Sequence, residues 1–338
     1  MDLVSESSRI FINCQHKFRG IIADFKSRKF EKNPRFGKSF KFRSSYRNHM
    51  LEARSVLHTS TFPSYLSWAS SQIKLQLPEL SRYPTGYDEL EGVSIHAPLV
   101  DLEREVLWIV ARISEDSETI NNFRESAKLI ERSWINGCID ESIKALKIFD
   151  ESHGSSFWSV QLRIALENAA GGLEKQKKYT SEVRSIYKSG LLNFIAYNTS
   201  VRNEERVGIQ KFKEDIRQKI NNHSKYSEAV KIYMHHRMLD EWPSTTEGVA
   251  DVLRIEQSHS LVDVYETFIN LAQHAVSQNE NPELKRIIRS ALILTKGIED
   301  FRLTKARLFF NIEDNISTLP KREEFGADAL FNGNLGFV

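Results

Sequence analysis

The segment that decides the fold reads Pro98-Leu-Val-Asp-Leu-Glu-Arg-Glu-Val-Leu-Trp-Ile-Val-Ala-Arg-Ile113. Its apolar side chains repeat every three to four residues, the period of one face of an α-helix, at Leu102, Val106, Ile109 and Ile113. Pro98 suits the first position of that helix, because proline lacks the N–H group that a first turn leaves unpaired. The segment therefore predicts an amphipathic helix that begins near residue 98.

Stripes of the same period recur along the rest of the chain. We predict further helices at 7–30, 63–77, 120–134, 143–149, 156–169, 180–197, 207–220, 226–233, 261–276, 282–292 and 301–312, and one that opens at 244–247. Glycines follow several of them, as is typical of helix ends, at Gly137, Gly154 and Gly171-Gly172. The polar stretch Asn198–Arg206 is predicted to be a loop.

No segment alternates with the period of two that strands require, so the predicted class is all-α. The inferred connectors between the predicted helices after residue 98 are short, which favours antiparallel neighbours. The expected architecture is an irregular α-solenoid or a set of stacked antiparallel helical hairpins.

The amino-terminal region is the most basic part of the chain. Residues 17–47 carry eleven Lys or Arg against two acids, a local net charge of +9, and the other residues together carry −7. Seven aromatic residues lie in the same basic arm. This asymmetry predicts contact with a polyanion or with an acidic protein surface. The candidate nucleic-acid-binding residues are Lys17, Arg19, Lys26, Arg28, Lys29, Lys32, Arg35, Lys38, Lys41, Arg43 and Arg47.

Three kinds of contact fit the basic arm. Its cations would neutralise phosphates while its Phe and Tyr rings stack on exposed bases, which favours single-stranded nucleic acid. The apolar stripe from Ile10 to Phe25 would instead suit an anionic membrane surface. The third alternative is that the rings dock the arm on the acidic remainder of the protein or on a protein partner. The helical period is lost between residues 31 and 48, and we expect this half of the arm to be extended.

Composition shifts divide the chain into four parts. They are the basic arm with its amphipathic helix at 1–48, a short helix and a Pro/Gly-rich linker at 49–97, a helical body at 98–316, and a tail at 317–338. No apolar run approaches the roughly 18 residues of a membrane span, so we expect no transmembrane segment. Two cysteines are too few for a disulfide framework, which favours the reducing cytoplasm.

Three short segments share a pattern of small, aromatic, acidic and apolar positions. They are 137–146, 178–186 and 224–233. In these positions the chain resembles a tetratricopeptide repeat over about residues 125–240, and the resemblance implies helical hairpins that bind a protein partner. Aligning Ile139, Tyr179 and Tyr226 gives spacings of 40 and 47 residues, longer than the family's period of about 34.

Three pairs of acid and histidine have spacings that metal ligands use on helices. They are Asp150 with His153, His236 with Asp240, and Glu256 with His259. We expect them at solvated helix ends, where these residue types are common. Cys138 has no neighbouring base motif, so we expect it to be buried and structural.

No catalytic constellation or cofactor motif is present in the sequence, so we expect no cofactor, no metal and a binding protein rather than an enzyme. The leading hypothesis is a cytoplasmic helical-repeat adaptor for a protein partner, with the basic arm adding electrostatic contacts. One alternative is a nucleic-acid-binding protein that acts through residues 17–47. The other is a metal-dependent enzyme that uses the acid–histidine pairs.

Overall fold

The computed structural model describes residues 3–27, 38–77, 84, 86–87, 90, 98–186, 190–204, 208–277 and 281–312. These parts of the chain contain helices and no strands, so the predicted all-α class is confirmed. The helices are α1 (Leu3–Lys26), α2 (Lys38–Val56), α3 (Phe62–Gln76), α4 (Leu102–Glu115), α5 (Ser117–Ile135), α6 (Ile139–His153), α7 (Phe157–Ile186), α8 (Leu191–Arg202), α9 (Ile209–Asn221), α10 (Glu228–Leu239), α11 (Thr246–Glu256), α12 (Leu261–Ser277), α13 (Pro282–Ile293) and α14 (Phe301–Phe309).

Helices that follow each other in sequence pack as neighbours. The pairs α5/α6, α7/α8 and α10/α11 are the most closely associated, and each is joined by a short connection. This packing is compatible with a helical repeat. Helix α4 is an exception, since it also packs against α3, α11, α12 and α13 and therefore lies at the centre of the fold.

The opening segment forms α4 as predicted, but the helix begins later. Asp101 has extended backbone angles, and its side chain accepts a hydrogen bond of 2.8 Å from the Arg104 N–H. A carboxylate in this position satisfies one of the N–H groups that the first turn leaves unpaired. Helix α4 therefore starts at Leu102, and Pro98 precedes it.

Apolar side chains gather in three cores. The amino-terminal core joins α1, α2 and α3 to α4 and includes Phe18, Phe42, Tyr65 and Trp108. The central core is built on α4, α5, α6, α12 and α13. The third core lies among α7, α8, α9 and α10. Helix α4 contributes to two of these cores, so the amino-terminal helices are anchored on the rest of the protein.

Three predictions about helix extent are wrong. The second half of the basic arm is helical from Lys38 onward, and α2 crosses the predicted boundary between residues 48 and 49. The single helix predicted at 180–197 is two helices, because Gly190 adopts φ 119° between α7 and α8. Residues 198–202 belong to α8 and not to the predicted loop.

Gly171-Gly172 interrupts α7, as the sequence indicates. Gly172 has φ 69° and ψ −166°, a conformation that residues with a Cβ atom rarely adopt. Gly137 and Gly154, with φ 76° and 77°, end α5 and α6 as predicted. At each of these three sites a helical segment ends at or next to a glycine.

The predicted linker contacts the rest of the protein where the structure describes it. The Pro84 carbonyl accepts a hydrogen bond of 3.0 Å from Ser155, and Leu90 is fully buried in the third core. The hydroxyl groups of Tyr87 and Tyr179 are 2.8 Å apart. These residues are therefore part of the packed structure.

Candidate functional site

Three described cations of the basic arm contact other helices of the protein. Lys17 forms an ion pair with Glu52, and Lys26 donates a hydrogen bond of 3.2 Å to Gln76. The guanidinium of Arg19 lies 5.5 Å from the ring centroid of Trp68. All three contacts join α1 to α2 or α3, so they hold the amino-terminal helices together.

The remaining candidate residues of the arm lie either on α2 or outside the described residues. Lys41, Arg43 and Arg47 lie half-buried on α2, and burial lowers the pKa of Arg47. The backbone of Lys38 begins α2, while Arg28, Lys29, Lys32 and Arg35 lie outside the described residues.

The described aromatic residues of the arm belong to the amino-terminal core. Phe18 and Phe42 are completely buried and Phe25 is 7% exposed, and their rings pack with Tyr46 and with each other. A base or a lipid chain cannot reach side chains in this position. The stripe that suggested a membrane surface is therefore covered by α2 and α3. No described helix is long and apolar enough to cross a membrane.

The acid–histidine pairs lie at helix ends as predicted, but most of their side chains are buried, so the prediction that they are solvated is wrong. Glu256 is fully buried, His259 and His236 are nearly so, and His153 is 9% exposed. His236 packs on the Trp242 ring, whereas Asp240 is exposed and ends α10. Across the described part of the chain, no three His, Cys, Asp or Glu residues converge as metal ligands would.

Glu256 belongs to a buried charge cluster that links α7, α10, α11 and α12. Arg237 contacts Asp263 at 2.6 Å and Glu256 at 3.6 Å. The Asp263 carboxylate also accepts hydrogen bonds from the Phe157 and Trp158 N–H groups, at 2.8 and 2.9 Å, and so caps α7. Arg237 on α10 thus neutralises two carboxylates, which in turn connect α7, α11 and α12.

Burial and charge act in opposite directions in this cluster. Burial opposes ionisation of Glu256, but Arg237 and His259 together outweigh it and hold the pKa of that carboxyl at about 2. The two carboxylates raise the pKa of Arg237 above its ordinary value despite burial. Burial lowers the pKa of His236 to about 3, so its imidazole is neutral near pH 7. Packed helices enclose the cluster, so its charged groups serve to hold those helices together.

A second buried cluster joins α5, α12 and α14. The Asp300 carboxylate lies 2.9 Å from Arg124 and 2.8 Å from Arg302, and it accepts a hydrogen bond of 2.6 Å from Tyr265. Arg302 forms a bidentate pair with Glu266, with both distances 2.8 Å. The sequence contained no pattern that distinguished these residues from solvated charges.

Cys138 is also placed differently from the prediction. Cys138 is exposed at the start of α6, and Cys14 is buried in the amino-terminal core. Burial raises the pKa of the Cys14 thiol. The expectation that Cys138 is a buried structural residue is therefore wrong.

An open cleft of about 440 Å³ lies between the second half of α7 and α8. The α7 wall is formed by Lys177, Thr180, Ser181 and Arg184. The α8 side is formed by Tyr197, Ser200, Val201 and Glu204. Its volume falls in the range of about 300–1,000 Å³ that is typical of ligand sites.

The cleft offers charged, hydroxyl and aromatic groups at defined positions. Lys177 pairs with Glu204 at 3.5 Å at one end. At the other end the Arg184 guanidinium lies 4.7 Å from the ring centroid of Tyr197, which is 41% exposed. Beneath the cleft, buried Gln176 donates hydrogen bonds of 2.8 Å to the carbonyl and hydroxyl oxygens of Ser200. The amide bridge fixes the spacing of the two walls.

None of three comparisons, with protein-family models, with curated proteins and with solved structures, gives a match to this chain. The cleft lies within the region that resembles a tetratricopeptide repeat. The sequence did not identify it, because its walls meet only when α8 folds back on α7. The polar stretch at 198–206 was the single signal near it.

Proposed function

We propose that this protein is a helical-repeat adaptor, similar in kind to the tetratricopeptide repeats, that binds an extended segment of a protein partner. The observation that supports it is the α7–α8 cleft, which is open and lined by polar and aromatic groups. Lys177 and Arg184 are seven residues apart on one helix, a rise of about 10.5 Å. An extended peptide advances about 3.4 Å per residue, so the cleft accommodates about three residues.

The surroundings of the cleft favour a rigid binding surface. Gln176 bridges its walls, and the hydroxyl of Tyr179, on the same half of α7, lies 2.8 Å from that of Tyr87. A preformed site loses less conformational entropy when a ligand binds. We also propose a cytoplasmic location, because an exposed unpaired thiol such as Cys138 suits a reducing compartment.

Selection of peptides on the immobilised protein tests the proposal. A random-peptide display library is selected on the full chain, and the affinities of the selected peptides are measured by fluorescence polarisation. Ser181→Trp places a large side chain on the exposed α7 wall of the cleft. Ser152→Trp makes the same change on the exposed face of α6 and serves as the control.

We expect Ser181→Trp to weaken peptide binding at least tenfold and Ser152→Trp to leave it unchanged. The proposal is wrong if no selected peptide binds saturably, or if both variants bind as the wild type does. A single-stranded oligonucleotide, titrated at two salt concentrations, is the second probe. Tight, salt-dependent oligonucleotide binding without peptide binding would favour the nucleic-acid hypothesis instead.

A further inference from the structure

We propose that the Arg184 end of the cleft binds the phosphate group of a phosphorylated residue in the partner's segment. This inference rests on the proposed function and adds the chemistry of its ligand. It starts from two cations that share one aromatic ring.

Arg184 and Lys219 both lie against Tyr197. The Arg184 guanidinium is 4.7 Å and the Lys219 ammonium 5.4 Å from the centroid of the tyrosine ring. The ring attracts each cation, but the two cations repel each other. They come from α7 and α9, so the fold brings together two charges that are 35 residues apart in sequence.

Both cations have neutral hydrogen-bond partners. The Arg184 Nε donates to the Asn193 side-chain oxygen at 3.1 Å, and the Lys219 ammonium donates to that of Asn198 at 3.3 Å. Within the part of the chain that the structure describes, neither cation forms an ion pair with a carboxylate. Arg184 lines the cleft and Lys219 shares the Tyr197 ring with it, and among the described residues no carboxylate pairs with either charge, which favours an anionic ligand.

The opposite end of the cleft does not have this excess. Lys177 is paired with Glu204 at 3.5 Å, and the Glu204 side chain is only 7% exposed. An anion near Glu204 would be repelled by that carboxylate. The difference between the two ends places the anionic group beside Arg184 and the adjoining residues of the peptide toward Lys177.

A phosphate monoester suits this end better than a carboxylate. It carries about −1.5 to −2 charges at neutral pH and three acceptor oxygens, so one group can balance two cations. A guanidinium binds two of those oxygens with parallel hydrogen bonds. The exposed Ser181 hydroxyl is three residues before Arg184 on the same wall and adds a third kind of donor.

A stacked base of single-stranded nucleic acid fits less well. Base stacking needs an open aromatic face, and among the residues that the structure describes, Tyr197 is the aromatic one that lines this cleft. Its ring is already in contact with Arg184 and Lys219. The geometry therefore favours the phosphorylated peptide over the nucleic acid.

Three degenerate nonapeptide libraries test the inference. They are identical except at the central position, which is phosphoserine, serine or glutamate, and each is measured by retention on the immobilised full chain. The variants are Arg184→Gln and Lys219→Gln. Lys147→Gln on the exposed face of α6 is the matched control.

We expect the phosphoserine library to be retained at least tenfold more than the serine library. Arg184→Gln and Lys219→Gln should each reduce that preference at least fivefold, while Lys147→Gln preserves it. Inorganic phosphate should compete with the phosphoserine library and not with peptides selected without phosphate.

Other outcomes overturn the inference and separate it from the proposed function. If the serine or glutamate library is retained equally well, the cleft binds peptides without selecting phosphate. If the phosphoserine preference persists in both cleft variants, the phosphate binds elsewhere. If no library and no displayed peptide binds, the proposed function fails as well. Retention of an oligonucleotide that competes with the phosphoserine library would assign the cations to nucleic acid.

Discussion

Replacement of Arg237 by methionine tests the buried charge cluster that joins α7, α10, α11 and α12. Methionine keeps much of the apolar stem and removes the guanidinium, which contacts Asp263 at 2.6 Å and Glu256 at 3.6 Å. Both carboxylates are completely buried, so water cannot replace the lost partner. Removing one member of a buried ion pair costs about 3–5 kcal/mol of unfolding free energy. Since two carboxylates depend on Arg237, we expect a loss near the upper end of that range.

The measurement is urea-induced unfolding followed by far-ultraviolet circular dichroism at pH 7. Arg217→Met is the control, because Arg217 pairs with Glu241 at the surface, where the two side chains are 41% and 38% exposed. An exposed pair contributes about 0–1 kcal/mol. The reasoning is refuted if the unfolding free energies of the two variants agree within about 1 kcal/mol.

The pH dependence gives a second measure of the same cluster. The pKa of Glu256 in the folded protein, about 2, lies below its ordinary 4.5. Ionised Glu256 therefore adds stability that is fully present above pH 4.5 and is lost as the pH falls toward 2. Without Arg237, the orphaned carboxyls can take up protons at higher pH. The deficit of Arg237→Met relative to the wild type should thus shrink between pH 7 and pH 4.

Four further predictions concern other sites. The pKa of buried His236, about 3, lies below its ordinary 6.5, so the stability from its neutral form is lost as the pH falls below 6.5. His236→Phe should reduce the loss of unfolding free energy between pH 6.5 and 5 by about 2 kcal/mol, as urea titrations would show. Gly172→Ala should destabilise the protein by about 1–3 kcal/mol because of its φ of 69°. Gly20→Ala should stabilise it by about 0.5–1 kcal/mol, since Gly20 lies within α1 beside open space. A thiol reagent should modify one cysteine, Cys138, in the folded protein, and Cys14 only after denaturation.

Each of these predictions has a result that contradicts it. An unchanged pH dependence in His236→Phe would show that the histidine does not titrate differently in the folded and unfolded states. If Gly172→Ala and Gly20→Ala changed the unfolding free energy in the same direction, the break in α7 would not depend on the conformation of Gly172. Two reactive thiols in the native protein would contradict the burial of Cys14.

Much of the secondary structure follows from the sequence, because helical period and helix ends are local properties. The stripe in α4 and the glycines after α5 and α6 were recognised from neighbouring residues. The helix extents failed where local signals were weak: the apolar period is faint in α2, and one continuous stripe covered both α7 and α8 despite Gly190. The spacing of apolar residues shows which face of a helix is apolar, but it does not show which element packs against that face.

Much less of the candidate site could be predicted from the sequence. The composition of the basic arm suggested a binding surface, yet Phe18, Phe25 and Phe42 are buried and several of the described cations are paired within the protein. The cleft could not be predicted, because Arg184, Tyr197 and Lys219 form no sequence motif. Composition reports charge along the chain, whereas a binding site depends on charge that remains uncompensated after folding.

The sequence by itself determined an all-α protein, the approximate positions of most of its helices, and an uneven distribution of charge. The tertiary structure alone decided which charged groups are buried partners and which line an open surface. The reason is distance along the chain: Asp263 caps a helix that begins 106 residues earlier, and Lys219 reaches a ring on another helix. Coulomb interactions and hydrogen bonds depend on separation in space, which no local pattern of residues specifies.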